Sequence, residues 1–93
     1  MKGINLEGQD YKLFENYKDG FDLEELTEKM TDYFLPYDYI VGDWSYGKLR
    51  LKGFYKKDNK DCKKLNDFTY YKEYIENNCA YDCRFFVIEK VVE

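Results

Sequence analysis

The 93-residue chain contains no histidine, one proline, one tryptophan and only three cysteines. Without histidine, a single chain cannot assemble a Ser/His/Asp or Cys/His arrangement for nucleophilic catalysis. Structural zinc sites ordinarily take four Cys or His ligands, so three thiols would need a carboxylate to complete such a site. We therefore expect no metal and no other cofactor.

Long apolar runs are also missing. No segment approaches the roughly 20 apolar residues that a membrane span requires, and the start Met-Lys-Gly-Ile-Asn lacks the apolar core of a signal peptide. An odd number of cysteines without an export signal favours reduced thiols. These absences predict a cytoplasmic protein that does not associate with membranes.

Aromatic residues, by contrast, are abundant, with eleven Tyr and seven Phe. Each ring buries about 150 to 250 Å² when it is covered, so a few rings can supply much of the hydrophobic core. A chain of this length is expected to form one domain, spanning residues 1–93. Tyrosine hydroxyls need hydrogen-bond partners, which predicts half-buried positions as well as core positions.

The order of apolar patterns along the chain predicts the fold class. Two short strands precede residue 18, a helix follows the N-cap candidate Asp22 and stops before Pro36, and a second helix follows Asp67. The last segment, residues 83–92, has an unbroken apolar centre that is typical of a strand in the sheet interior. With a central hairpin between the helices, the prediction is an α+β domain with order ββαββαβ. We expect a largely antiparallel sheet, two helices packed mainly on one face, and a residual apolar patch that favours weak self-association.

Residues 37–56 form that central hairpin, two runs of β-forming residues around a short turn that contains glycine. In its second arm one face carries Lys48, Arg50, Lys52, Phe54 and Lys56, and the opposite face carries Leu49, Leu51, Gly53 and Tyr55. Residues 48–64 hold eight Lys or Arg against two Asp, a net charge of +6 in a chain whose total is −4. The positive charge therefore belongs to one segment.

This hairpin also resembles the signature of a known family. The resemblance covers Tyr37-Asp38-Tyr39-Ile40-Val41-Gly42-Asp43-Trp44, then Tyr46-Gly47, then Leu49-Arg50-Leu51-Lys52-Gly53-Phe54. These residues are similar to the YutD-like family of small bacterial proteins, and weaker similarity extends to residues 19–22 and to the closing aromatic strand. The resemblance implies a cytosolic bacterial protein and brings no catalytic residues with it.

The hairpin is the candidate binding site, because lysines attract phosphates and exposed rings allow bases to stack. Its predicted members are Asp43, Trp44, Tyr46, Lys48, Arg50, Lys52, Phe54 and Lys56. Residues 52–55 begin like an RNA-recognition strand motif, although Tyr55 departs from it where a small residue is expected. An alternative is an ordinary solvated face whose lysines protect a sheet edge. Asp43 is either a turn residue that bonds its own backbone or a partner of Arg50 that orients a ligand.

These observations leave three hypotheses open. The first is a non-catalytic binding module in which the basic and aromatic hairpin binds RNA or another anionic partner. The alternative is a protein-interaction adaptor that uses the acidic helical side and exposed aromatic residues to bind a protein partner. The third is an enzyme, which a ligand held by Asp43 and Arg50 in a cleft would indicate.

Overall fold

The computed structural model describes residues 3–78 and 83–92, and these residues form five strands and two α-helices. The strands are β1 (Ile4–Leu6), β2 (Gln9–Tyr17), β3 (Tyr39–Ser45), β4 (Lys48–Phe54) and β5 (Phe85–Lys90), and the helices are α1 (Leu23–Lys29) and α2 (Tyr71–Asn78). Short 3-10 helices cover Asp32–Phe34, Lys64–Asn66 and Phe68–Tyr70. The predicted α+β class and the order ββαββαβ are confirmed.

The five strands make one sheet with the order β1-β2-β5-β3-β4, and every neighbouring pair is antiparallel. Strand β5 lies in the centre, and its first four residues are all buried. A central strand that is covered on both faces needs apolar side chains on both, which explains the unbroken apolar run. The prediction that the last segment lies in the sheet interior is confirmed.

The two helices cover opposite faces of this sheet. Ile40 of β3 belongs to a core cluster that includes Leu26 and Met30 of α1, whereas the next residue, Val41, belongs to a second cluster that includes Tyr71 of α2. Successive side chains of a strand point to opposite faces, so the two clusters lie on either side of the sheet. This corrects the expectation that both helices pack mainly on one face. Because β5 is apolar on both faces, one helix is needed on each side.

Helix α1 begins at the residue that the sequence indicates. Asp22 is extended, with φ −139°, and its carboxylate accepts a hydrogen bond of 3.1 Å from the backbone N–H of Glu25. The helix ends at Lys29, earlier than the spacing of apolar residues predicts. Phe34 still reaches the same core, but it does so from a separate 3-10 helix.

The second helical segment begins at Asp67, as predicted. The Asp67 side chain accepts a 2.9 Å hydrogen bond from the backbone N–H of Thr69, and this bond to the backbone lowers the pKa of Asp67. The first turn is a 3-10 helix, and α2 itself starts at Tyr71. Among the residues described, no helix is both long and apolar enough to cross a membrane.

The cysteines depart from the expectation of reduced thiols. Cys62 is a free, half-buried thiol, whereas Cys83 is disulfide-bonded. An odd number of cysteines requires only that one thiol lacks a partner within the chain, so the count could not exclude a bond elsewhere. Cys79, which helical spacing assigns to packing, lies outside the described residues.

Candidate binding site on the central hairpin

The predicted hairpin is present, and its turn contains two residues. Tyr46 and Gly47 both have positive φ, 53° and 76°, as a type I′ turn requires. The register runs from Ser45 opposite Lys48 to Tyr39 opposite Phe54. Tyr46 is 97% exposed at the tip, so this predicted site residue is available to a partner.

Asp43 and Arg50 lie directly opposite each other in this register and form an ion pair. Arg50 Nε donates to Asp43 Oδ1 at 2.9 Å, and the side chains are 45% and 1% exposed, respectively. This hydrogen bond raises the pKa of Arg50. Burial and the Asp43 charge raise the pKa of Tyr74 in α2. Asp43 and Arg50 are therefore paired, and the pairing neutralises the charge of Arg50 in the middle of the basic strand.

Lys52 and Phe54 lie next to α2 rather than on an open face. Lys52 Nζ is 5.3 Å from the centre of the Phe54 ring and 5.6 Å from the centre of the Tyr74 ring. Phe54 is buried and packs edge-on against Tyr74, with ring centres 5.7 Å apart. A buried ring cannot offer its face to a nucleic-acid base. The predicted stacking role of Phe54 therefore does not fit its position.

Trp44 lies on the opposite face of β3 from Asp43. Its half-buried ring packs against the core cluster of α1, and its indole N–H donates to the Gly20 carbonyl at 2.7 Å. The Arg84 guanidinium lies 4.5 Å from the ring centre, a cation–π distance. Trp44 therefore connects the hairpin to the turn that precedes α1 and is separate from the basic face.

The two remaining predicted residues, Lys48 and Lys56, are exposed near the two ends of β4. The backbone N–H of Lys56 donates to Asp38 Oδ2 at 2.9 Å, which fixes the chain as it leaves the strand. The predicted strip of positive charge is thus accessible at its ends. In the middle of the strip, Arg50 is paired with Asp43 and Lys52 lies against Tyr74 of α2.

A concave pocket of about 530 Å³ lies beside this covered part of β4. Its walls come from β4, from the segment that precedes α2, and from α2 itself, and we call it the β4–α2 pocket. The lining residues are Lys52, Phe54, Lys64, Leu65, Tyr70, Glu73, Tyr74 and Asn77. Its volume falls within the roughly 300 to 1,000 Å³ of typical ligand sites.

The rim of the β4–α2 pocket combines apolar and basic side chains. Leu65 is 80% exposed, Tyr70 is also exposed, and Lys64 Nζ lies 6.0 Å from the centre of the Tyr70 ring. Two amines and several rings can hold a carboxylate or a phosphate together with an attached apolar group. Among the described residues, no group of three or more Cys, Asp or Glu side chains is placed to bind a metal ion.

Sequence reasoning found Lys52 and Phe54 but missed the other side of the pocket. Lys64 and Leu65 belong to a segment whose polar composition is typical of a solvated loop. Leu65 is the residue that could have indicated this side of the pocket, because a leucine in such a polar segment is expected to be exposed. Tyr70 follows the capping residue Asp67 closely, which places it near the start of the second helix.

Fold and site together define a small α+β protein with an exposed hairpin tip and a basic, aromatic pocket. A family model described as "Putative antitoxin YutD-like" matches residues 5–89. The chain therefore belongs to the YutD-like family, as the hairpin resemblance implies.

One relative is the Bacillus subtilis (strain 168) protein described as "Putative antitoxin YutD". It is 38% identical over 88 residues, which cover 95% of this chain and 97% of the relative. The solution NMR structure of the protein yutD from B. subtilis is similar to the whole of this chain, with a TM-score of 0.83 and 35% identity, and the match covers 84% of that chain.

Proposed function

We propose that this protein acts by binding a partner protein, and that it does so as an antitoxin, in the sense of the description its B. subtilis relative carries. The observation that carries this proposal is the β4–α2 pocket, whose rim exposes apolar and basic side chains side by side. The partner would place an acidic or aromatic side chain in the pocket. The chain would then act by occupying a surface of that partner.

The exposed rim supports a protein partner. Exposed apolar side chains bordered by polar residues mark interaction sites, and tyrosine is among the residues enriched in protein interfaces. Leu65 and Tyr70 supply the apolar part, and Lys64 supplies the charge.

The charge distribution supports an acidic partner. Residues 48–64 carry a net charge of +6, although the whole chain has a net charge of −4. Complementary potentials speed association and orient the partners more than they strengthen the complex. An acidic patch on the partner would therefore be directed to this side of the molecule.

The test is capture of a partner from a lysate of the host bacterium, followed by direct binding of the purified partner. Lys64→Glu and Tyr70→Ala should reduce the affinity for that partner by about tenfold or more, as expected for anchor residues. The matched controls are Lys29→Glu in α1 and Tyr33→Ala, since both residues are exposed and lie outside the pocket.

As an antitoxin, the wild-type chain should also relieve growth arrest when it is expressed together with the captured protein. The Lys64→Glu variant should relieve it much less than Lys29→Glu does. Equal binding by all four variants, or a captured protein that does not arrest growth, would contradict the proposal.

RNA is a second candidate partner, favoured by one specific observation. The segment that follows β4 exposes five lysines, namely Lys56, Lys57, Lys60, Lys63 and Lys64, and Lys64 lines the pocket. This proposal predicts binding of single-stranded RNA that weakens strongly between about 50 and 200 mM salt. A Lys56→Ala/Lys57→Ala/Lys60→Ala variant should lose affinity, and it leaves the ion pair of Asp43 and Arg50 intact. RNA affinity that is the same for this variant and the wild type would exclude this role for the exposed lysines.

A further inference from the structure

Strand β4 forms one edge of the sheet, and part of its backbone points away from the sheet. Because the turn contains two residues, hydrogen-bonded pairs with β3 alternate along the strand from Ser45 and Lys48 onward. The backbone groups of Leu49, Leu51 and Gly53 therefore point outward.

Two hydrogen bonds at the end of the strand agree with this alternation. The Phe54 carbonyl points inward and accepts from Asp38 N–H at 3.0 Å, whereas Tyr55 N–H points outward and donates to the Asn66 carbonyl at 2.7 Å.

The same edge already pairs with one extended residue, Asp67, which lies between two 3-10 helices. Phe68 N–H donates to the Tyr55 carbonyl at 3.0 Å, and Tyr55 and Asp67 form a parallel bridge. Within residues 3–78 and 83–92, the outward groups of Leu49, Leu51 and Gly53 have no hydrogen-bond partner. Three N–H groups and three carbonyls along this edge are therefore unpaired within the described residues; Leu51 is half-buried, and Leu49 and Gly53 are buried.

The side chains along this edge select the kind of strand that could be added. Lys48, Arg50 and Lys52 line one face of β4, and Leu49 and Leu51 line the other. Directly neighbouring side chains on adjacent strands attract each other when their charges are opposite and repel each other when they are alike. A basic segment is therefore disfavoured, and an acidic one is favoured.

We propose that the unpaired edge of β4 binds an extended segment of the partner protein in which acidic and apolar residues alternate. The acidic side chains would lie beside Lys48 and Lys52, and the apolar side chains would lie beside Leu51. Strand addition of this kind draws affinity from backbone hydrogen bonds and specificity from alternate side chains. The inference rests on the proposed function, since it specifies how and by what the partner is recognised.

Amide hydrogen exchange of the wild-type protein tests the edge directly. The probe is a synthetic seven-residue peptide that alternates Glu and Val, and the control is a peptide of the same length that alternates Lys and Val. In the free protein, the amides of Leu49, Leu51 and Gly53 should exchange faster than those of Arg50 and Lys52. A saturating concentration of the Glu/Val peptide should slow these three amides by about tenfold or more, as new backbone hydrogen bonds do.

Two substitutions of Leu51 distinguish the contribution of its backbone N–H to peptide binding from the contribution of its side chain. Leu51→Pro removes an outward N–H that makes no bond to β3, and Leu51→Ala keeps that N–H. The Pro variant should bind the Glu/Val peptide about fivefold or more weakly than the Ala variant, as expected for one lost hydrogen bond. Trp44 fluorescence shows whether the two variants are folded. The exchange experiment uses the wild-type protein, so it does not depend on either variant.

The two proposals fail in different ways. If the three edge amides stay unprotected while the captured partner still depends on Lys64 and Tyr70, strand addition is overturned and the pocket proposal stands. Equal protection by both peptides would also overturn the inference, because the charge selection would be absent. If the edge amides are protected by the Glu/Val peptide but no toxic partner is captured, the antitoxin proposal fails and the edge remains a binding surface.

Discussion

At the scale of single residues, Asp43 controls the electrostatics of the hairpin. Its carboxylate is almost fully buried and accepts a hydrogen bond from Arg50. A buried charged group that loses its partner retains the cost of leaving water without compensation. Arg50 therefore stabilises the fold by pairing with Asp43, and any binding experiment that removes Arg50 also disturbs the fold.

We predict that Arg50→Met lowers the free energy of unfolding by about 1 to 3 kcal/mol, the range for a hydrogen bond to a buried charged group. Chemical denaturation measures this value. The control Lys48→Met removes an exposed charge from the same face of β4 and should change the free energy by about 0.5 kcal/mol or less. Equal losses for both variants would show that the Asp43 carboxylate is compensated without Arg50.

The position of Arg50 illustrates what sequence can and cannot predict for the site. The two-residue period of β4 places Arg50 on the lysine face, and the proximity of Asp43 to Arg50 follows from the hairpin. The burial of Asp43 and Phe54 could not be predicted, because it depends on α2, which is distant in sequence. The β4–α2 pocket was missed for the same reason, since Lys52 and Tyr70 meet only in the folded chain.

At the scale of elements, α1 is too short to be stable alone. It has seven residues, whereas isolated helices shorter than about 12 to 15 residues are marginal in water. It therefore depends on its cap, Asp22, and on the fully buried Leu26. Because Leu26 covers the face of the sheet opposite α2, the cap also supports half of the core.

We predict that Asp22→Ala lowers the free energy of unfolding by about 0.5 to 2 kcal/mol, the usual cost of removing an N-cap side chain. The matched control is Thr31→Ala, because Thr31 occupies the cap position of the following 3-10 helix without a side-chain hydrogen bond. That control should lie within about 0.5 kcal/mol of the wild type. Thermal and chemical denaturation both measure the difference, and a loss in Thr31→Ala as large as in Asp22→Ala would contradict the role of the cap.

Element order was predictable, but the placement of the helices on the sheet was not. Local signals such as Asp22, Asp67 and the two-residue turn act within a few residues, so they are readable in the sequence. The apolar run of β5 also indicates a strand covered on both faces. Which helix covers which face depends on the sheet order, in which β5 inserts between β2 and β3.

At the scale of the whole molecule, stacked aromatic rings connect the sheet to the segment that leads into α2. The Phe68 ring lies between Tyr39 and Tyr71, with ring centres 3.6 and 4.4 Å away and nearly parallel planes. Two tyrosine hydroxyls of this stack donate to carboxylates, Tyr39 to Glu89 at 3.1 Å and Tyr71 to Glu15 at 2.6 Å. The stack therefore depends on both hydroxyls keeping their protons.

Because of this stack, we predict that the protein loses stability at alkaline pH. Burial and the neighbouring Glu89 raise the pKa of Tyr39 to about 12, and burial and the hydrogen bond to Glu15 raise the pKa of Tyr71 above its ordinary value. A raised pKa means that the folded state favours the neutral phenol, whereas the unfolded chain ionises near pH 10. The stabilisation is thus complete below about pH 10 and is lost as the pH rises toward and beyond about 12.

Parallel titrations of phenolate absorbance and circular dichroism measure this loss. We expect part of the tyrosine absorbance to change only when the secondary-structure signal falls. Substituting Tyr39→Phe and Tyr71→Phe should flatten the dependence of unfolding free energy on pH, whereas Tyr46→Phe, at the exposed hairpin tip, should leave it unchanged. If all tyrosines ionise in one step near pH 10 while the fold persists, the stability of the aromatic stack does not depend on protonated tyrosine hydroxyls. The comparison among the three variants also separates tyrosine ionisation from the deprotonation of lysines, which proceeds in the same pH range in every variant.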